Sequence, residues 1–175
     1  TGIVTGIITS GTTVAQILNA QSGMTESSGI NAYTIVISSE DAAVSAGDLS
    51  KINALTTIAV DLTNVTSITS SSFDDLETLA TAIGNSEFSN TTGFTTITVS
   101  DTTVDATVLA ATIDTYDAIN ESGTTLIELS GGATINVDAE EVVDMLLDER
   151  ENRLNITDQN IVVTGSLSVD DANVL

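Results

Sequence analysis

Any chemistry in this chain has to run on carboxylates and hydroxyls. The sequence holds 25 Asp and Glu against three bases, Lys51, Arg150 and Arg153, and has no His and no Cys. Without His, a Ser–His catalytic arrangement is excluded. Without Cys, thiolate metal sites and disulfides are excluded. A Ser–Lys dyad would need Lys51, the single lysine, which sits in a short predicted helix as a solvated side chain. Paired acids could cleave or bind a glycan. Such clefts are built with aromatic walls, and this chain has two Tyr, three Phe and no Trp. The expectation is therefore no enzyme activity, with a carbohydrate-binding or carbohydrate-cleaving module as the alternative.

Adjacent acids are also the raw material of calcium sites. They occur at Glu40-Asp41, Asp74-Asp75, Glu140-Glu141, Asp148-Glu149 and Asp170-Asp171. Neither the EF-hand spacing nor a tandem GGxGxDxU repeat is present. Several pairs fall in the first turn of a predicted helix, where the macrodipole already favours negative charge, and that reading is preferred. Asp74, Asp75, Glu140, Glu141, Asp170 and Asp171 remain the calcium candidates, and no other cofactor is expected. Gly131-Gly132 reads as a tight turn, since both phosphate-loop patterns are missing. Thr is common, at 29 residues, but Thr96-Ile97-Thr98 is the one Thr-x-Thr beside a strand pattern, too little for an ice-binding ladder. Asn-x-Ser/Thr sequons stand at Asn64, Asn90, Asn120 and Asn155.

The formal charge is −22. A field of that sign repels nucleic acid and anionic membranes. It also repels itself, a strain that seawater salt would screen within a few Å, which fits an extracellular, saline setting. No apolar run approaches the ~20 residues of a membrane span. The sequence begins at Thr1 with no leader pattern, as expected of a processed protein or a piece of a longer chain.

The elements that position these residues repeat. Strand-like tetrads recur at Ile35–Ser38, Ile58–Asp61, Ile97–Ser100, Ile127–Ser130 and Ile161–Thr164, with Gly6–Thr9 as a degenerate sixth copy. Their alternating β-branched residues turn one face inward. After each tetrad comes an apolar residue and then Ser, Thr or Asp: Val44-Ser45, Ile68-Thr69, Val104-Asp105, Val137-Asp138 and Val169-Asp170. The polar residue is placed to cap a helix, with Ser72 competing with Thr69 and with Glu141 completing a capping-box spacing from Asp138. The apolar one is placed to staple the helix entry. Helical periodicity follows in Leu76, Leu79 and Ile83, in Val108, Leu109, Thr112 and Ile113, and in Val142, Met145 and Leu146. Breakers follow at Gly84-Asn85, Asn120 with Gly123, and Arg150 to Asn152.

One such unit cannot bury its own apolar faces, whereas stacked units can. Strands joined through helices run parallel. The pattern predicts an α/β chain, a single repeat-built domain over residues 1–175. Its approximate units are 1–32, 33–55, 56–93, 94–123, 124–156 and 157–175. The favoured architecture is an irregular β/α solenoid with a parallel sheet on one side and helices on the other. A compact three-layer α/β sandwich is the alternative.

Segments such as ITVSDTTVDATVLAATIDTYDAI and IELSGGATINVDAEEVVDML resemble repeat arrays in very large surface and secreted proteins of marine bacteria, especially cyanobacteria. The resemblance covers roughly residues 33–175 and rests on pattern and composition. It implies a structural or adhesive role outside the cell, though similar stretches in phage virion proteins make a virion appendage another alternative. The uneven spacing here departs from a regular array.

Partners follow from apolar residues that the pattern leaves outside. The second tetrad residues, Val36, Ala59, Thr98, Glu128 and Val162, should face away from the helices, and three of these are apolar. The final unit stops at Val174-Leu175 just after its cap. Val36, Ala59, Val162, Val174 and Leu175 are therefore the expected interface, for self-association or for continuation of the chain, with glycan as a further possible ligand. The resulting expectation is an extracellular, self-assembling or adhesive scaffold.

Overall fold

A computed structural model describes residues 3–24, 31–120 and 125–166. The chain is mixed α/β, with five helices and strands that pair only in parallel among the described residues.

The helix starts follow from local sequence. α1 (Val14–Met24) opens on Thr13-Val14-Ala15-Gln16, a reciprocal capping box. The Thr13 N–H donates to Gln16 Oε1 at 2.9 Å and the Gln16 N–H to Thr13 Oγ1 at 3.3 Å. Sequence reading named no helix here, although this signal is visible in it. α2 (Ala46–Asn53) is capped by Ser45 and α3 (Phe73–Gly84) by Ser72, which wins over Thr69. α4 (Ala106–Ile119) is capped by Asp105, as expected. α5 (Val142–Arg150) corrects the expectation at Asp138: its N-cap is Glu141, without a side-chain cap. Asp138 instead closes a turn, its carboxylate accepting from the Ala139 N–H at 2.8 Å and its carbonyl from the Glu141 N–H at 2.9 Å. The helix therefore starts three residues later.

The strands are β1 (Thr5–Ile8), β2 (Ala32–Ile35), β3 (Ala43–Val44), β4 (Val60–Asp61), β5 (Ser67–Ser71) and β6 (Phe88–Ser89). They continue with β7 (Thr96–Val99), β8 (Thr103–Asp105), β9 (Leu126–Leu129), β10 (Thr134–Asp138), β11 (Leu154–Asn155) and β12 (Asn160–Thr164). They form four ladders: β1-β2, β4-β6, β3-β5-β7-β9-β11 and β8-β10-β12. Isolated parallel bridges, Asn31 to Thr56 and Val36 to Asp61, connect the first two. The expected single sheet is thus several ladders. The residues read as staples, Val44, Ile68, Val104 and Val137, lie within strands and are buried.

Every ladder follows chain order. The sequence separation between register partners runs from 24 (Ala43 to Ser67) to 31 (Thr103 to Thr134). One column of side chains therefore crosses five strands in register: Val44, Ile68, Ile97, Ile127 and Leu154, all buried. This is the spine of the core. Alternation holds through Ile97 and Val99 and through Ile127 and Leu129. It fails at Ile58, which is 39% exposed, because the strand there is only Val60–Asp61. Thr56 bends the chain first: its hydroxyl donates to the Tyr33 carbonyl at 2.6 Å and accepts from the Ile58 N–H at 3.0 Å.

Successive helices are tied together by side chains 25–28 residues away along the chain. The first free N–H of α1, on Val14, donates to Asp41 Oδ2 at 2.7 Å. That of α2, on Ala46, donates to Ser71 Oγ at 2.8 Å, and that of α3, on Phe73, to Asp101 Oδ2 at 2.8 Å. Each of these helices also has its third free N–H held by its own N-cap side chain. These three helix starts are thus completed by a segment further along the chain, which satisfies orphan donors and, at α1 and α3, places a carboxylate at the positive dipole end. Asp101→Ala is expected to cost about 1–1.5 kcal/mol in chemical denaturation, within the range of cap losses, and Asp101→Asn clearly less. Equal losses in the two variants would mean that the amide does not replace the carboxylate as acceptor.

Candidate functional site

The calcium candidates among the described residues do not converge. Asp74 and Asp75 lie in the first turn of α3. The Asp75 carboxylate lies over Gly47 of α2, 3.4 Å from where a β-carbon would sit, so that glycine permits the close approach of the two helices. Glu140 is exposed, and Glu141 reaches back to the previous helix, where Thr107 Oγ1 donates to its Oε1 at 3.0 Å. Asp41 is engaged in capping α1, and Asp148 pairs with Arg153. Asp170 and Asp171 lie outside the described residues. No group of three or more acids placed to hold a metal ion occurs among the described residues.

The three bases have separate settings. Lys51 pairs with Asp48 at 2.7 Å on the exposed side of α2, which holds its ammonium above the usual range. Arg150 is exposed in the last turn of α5, as its charge favours. Arg153 is different. Its guanidinium meets Asp114 at 2.7 Å, Asp117 at 2.9 Å and Asp148 at 3.2 Å, joining α4 to α5. Asn152, in left-handed backbone with φ 58°, turns the chain so that Arg153 folds back on α5. Burial pushes the Asp148 carboxyl up, and Arg153 offsets this only in part.

Several buried polar side chains are satisfied within the fold. The Asn120 amide donates to the Phe94 carbonyl at 2.8 Å, and Thr125 Oγ1 donates to the same oxygen at 3.1 Å. Asn31 donates to the last residue of α1, through the Met24 carbonyl at 2.7 Å. Of the four sequons, Asn120 is buried and Asn64 donates to the Ile37 carbonyl at 2.8 Å, so both amides are engaged in the folded chain. Asn155 accepts from the Thr157 N–H within its own sequon at 3.0 Å. Asn90 is exposed on a left-handed turn, its amide donating to Asp61 at 2.8 Å.

The expected interface residues divide. Val36 and Ala59 are half-buried, as are Thr98 and Glu128. Val162 is 45% exposed, and Val174 and Leu175 lie outside the described residues. The apolar exposure that sequence reading missed is at β1, where Ile3 and Ile7 are 72% and 77% exposed. At β12 it extends to Ile161 and Val163. An open groove of about 580 Å³ lies between α3 and α4, lined by Leu76, Val108 and Tyr116 and by Asp74 and Glu77. No helix among the described residues is long and apolar enough to cross a membrane. No family model, curated protein or solved structure matches the chain.

Proposed function

We propose that this chain is a non-catalytic structural module, an irregular β/α solenoid that supplies a length of self-assembling or adhesive scaffold outside the cell. The observation that carries the reading is the buried column Val44–Ile68–Ile97–Ile127–Leu154, running in register through successive units. A doubly wound three-layer sheet reverses strand order at a switch point. Ladders that all follow chain order favour a stack instead. The helix caps supplied by the next unit add to this, since each unit leaves groups that a neighbour satisfies. Acids on the flanks keep such a stack soluble, and saline surroundings screen their repulsion.

The test is hydrodynamic. Sedimentation and negative-stain microscopy across a salt series should show an elongated particle that forms longer species as ionic strength rises. A compact particle that stays monomeric at every concentration and salt would overturn the reading.

A further inference from the structure

The helix layer changes step between α3 and α4. α2 and α3 follow β3 and β5 of the five-stranded ladder, whereas α4 and α5 follow β8 and β10 of the three-stranded one. Between α3 and α4 the chain runs through β6, β7 and β8, one strand in each of three ladders. An extra strand, β8, thus separates the start of α4 from Asp101, the residue that completes the start of α3. Among the described residues a single hydrogen bond crosses the resulting seam, from the Tyr116 hydroxyl to the Leu76 carbonyl, and it is buried.

The groove along this seam is apolar. Leu76 and Ala80 line it from α3, and Val108, Ala111 and Tyr116 from α4. Val108 is 46% exposed, the one large apolar side chain of a described helix left so open. The neighbouring seams differ. That between α2 and α3 is lined by Ser50, Asn53, Thr78, Asn85 and Glu87, with the Asn53 amide donating to Glu87. That between α4 and α5 holds a cavity of only about 120 Å³ and is tied by Thr107 to Glu141 and by Arg153.

Charge selects the occupant. Asp74 and Glu77, three residues apart on α3 and so on one face, line the groove and are exposed. Neither pairs with a base among the described residues, and no Lys or Arg lines the groove. From α4 the polar lining is hydroxyl only, Thr112, Thr115 and the phenol of Tyr116. A second copy would bring more carboxylates, since two of its three bases, Lys51 and Arg153, are already paired. A basic partner is therefore favoured over self-association at this face.

Shape selects its form. The lining runs from Phe73 to Thr81 and from Val108 to Tyr116, about 12 Å of each helix. No strand borders the groove, so an extended peptide would find no backbone to pair with. A helix satisfies its own backbone and would span the groove with about two turns, through apolar residues at i, i+3 or i+4, and i+7. Ala80 and Ala111 are small enough to let it approach.

We infer that this groove docks an amphipathic helix of another protein, its apolar stripe against Val108 and Ala111 and its Lys or Arg flank along Asp74 and Glu77. This goes beyond the scaffold reading, since a monomer carries the groove as fully as a fibre does.

A synthetic peptide of about 20 residues, long enough to be helical alone, tests it. It carries Leu at i, i+4, i+7 and i+11, Lys on one flank and Gln elsewhere. Its binding to the whole chain is read by calorimetry at low salt. Ala111→Gln, which fills the groove without adding charge, should weaken binding at least about tenfold. Asp74→Asn with Glu77→Gln should weaken it about fivefold, as two exposed ion pairs do. Glu149→Gln with Glu151→Gln removes the same charge at the far end of α5 and should change it less than about twofold. All five positions are exposed, so the variants should keep the circular dichroism of wild type. Peptides with Glu for Lys, or Ser for Leu, should not bind. The site is overturned if the first peptide does not bind, if the Ser peptide does, if both acid pairs weaken binding equally, or if Ala111→Gln binds as wild type. If Ala111→Gln instead abolishes self-association of the chain alone, the occupant is a second copy and the basic partner is wrong.

Discussion

Replacing Tyr116 with Ala is expected to cost about 4 kcal/mol, as large-to-small aromatic changes in packed cores do. Tyr116 is 1% exposed, tilted against Phe94 with ring centroids 6.4 Å apart. Its hydroxyl donates to the Leu76 carbonyl at 2.9 Å, so one side chain from α4 fills the junction with α3 and pins it. Tyr116→Phe keeps the ring and removes only the hydrogen bond, so its cost should be about 1 kcal/mol. Urea denaturation of the two variants separates packing from bonding, and similar losses would refute the packing account. The phenol adds a signature. Burial pushes its pKa far above the ordinary value of 10. The folded chain therefore keeps the proton where the unfolded chain loses it. That contribution is full below pH 10 and is lost as pH rises beyond it. Tyr116→Phe should abolish this part of the alkaline slope.

How much of this was legible depends on the range over which each contact acts. The inward faces of Ile97, Val99, Ile127 and Leu129 were readable because four-residue strands carry a full period-two pattern. Strands of two or three residues carry none, so Val44 and Val104 read as helix staples when they are strand core. Caps within a helix start, at Ser45, Ser72 and Asp105, depend on neighbours three residues away and were legible. Caps from Asp41, Ser71 and Asp101 were not, since they join residues 25–28 apart through a register that only packing fixes. The same holds for Arg153, which meets Asp114 from 39 residues away. Ile3 and Ile7 were missed because β1 looked like a degenerate copy of the tetrad, and how many neighbours a strand has leaves no mark in its own sequence.

Arg153 also carries the second large effect. Arg153→Met preserves most of the aliphatic stem but removes the only described counter-charge to Asp114, Asp117 and Asp148 together. The expected loss is about 2–3 kcal/mol at neutral pH and low salt, below the full cost of breaking a buried pair because Asp114 is 78% exposed. The pH dependence gives the mechanism away. The Asp148 carboxyl is already raised from 3.8 by burial, with Arg153 opposing that rise. Without the guanidinium it rises further, so the folded state binds this proton more tightly than the unfolded chain. A raised carboxyl costs stability above its folded pKa and returns it as pH falls through that value toward 3.8. Relative to wild type, the deficit of Arg153→Met should therefore shrink on acidification from pH 7, and shrink again on adding salt. Asp148→Asn in the same chain should recover part of the loss at neutral pH by removing one of the stranded charges. A deficit unchanged by pH, salt or that second substitution would assign Arg153 a packing role instead, and the junction of α4 and α5 would then rest on its apolar contacts alone.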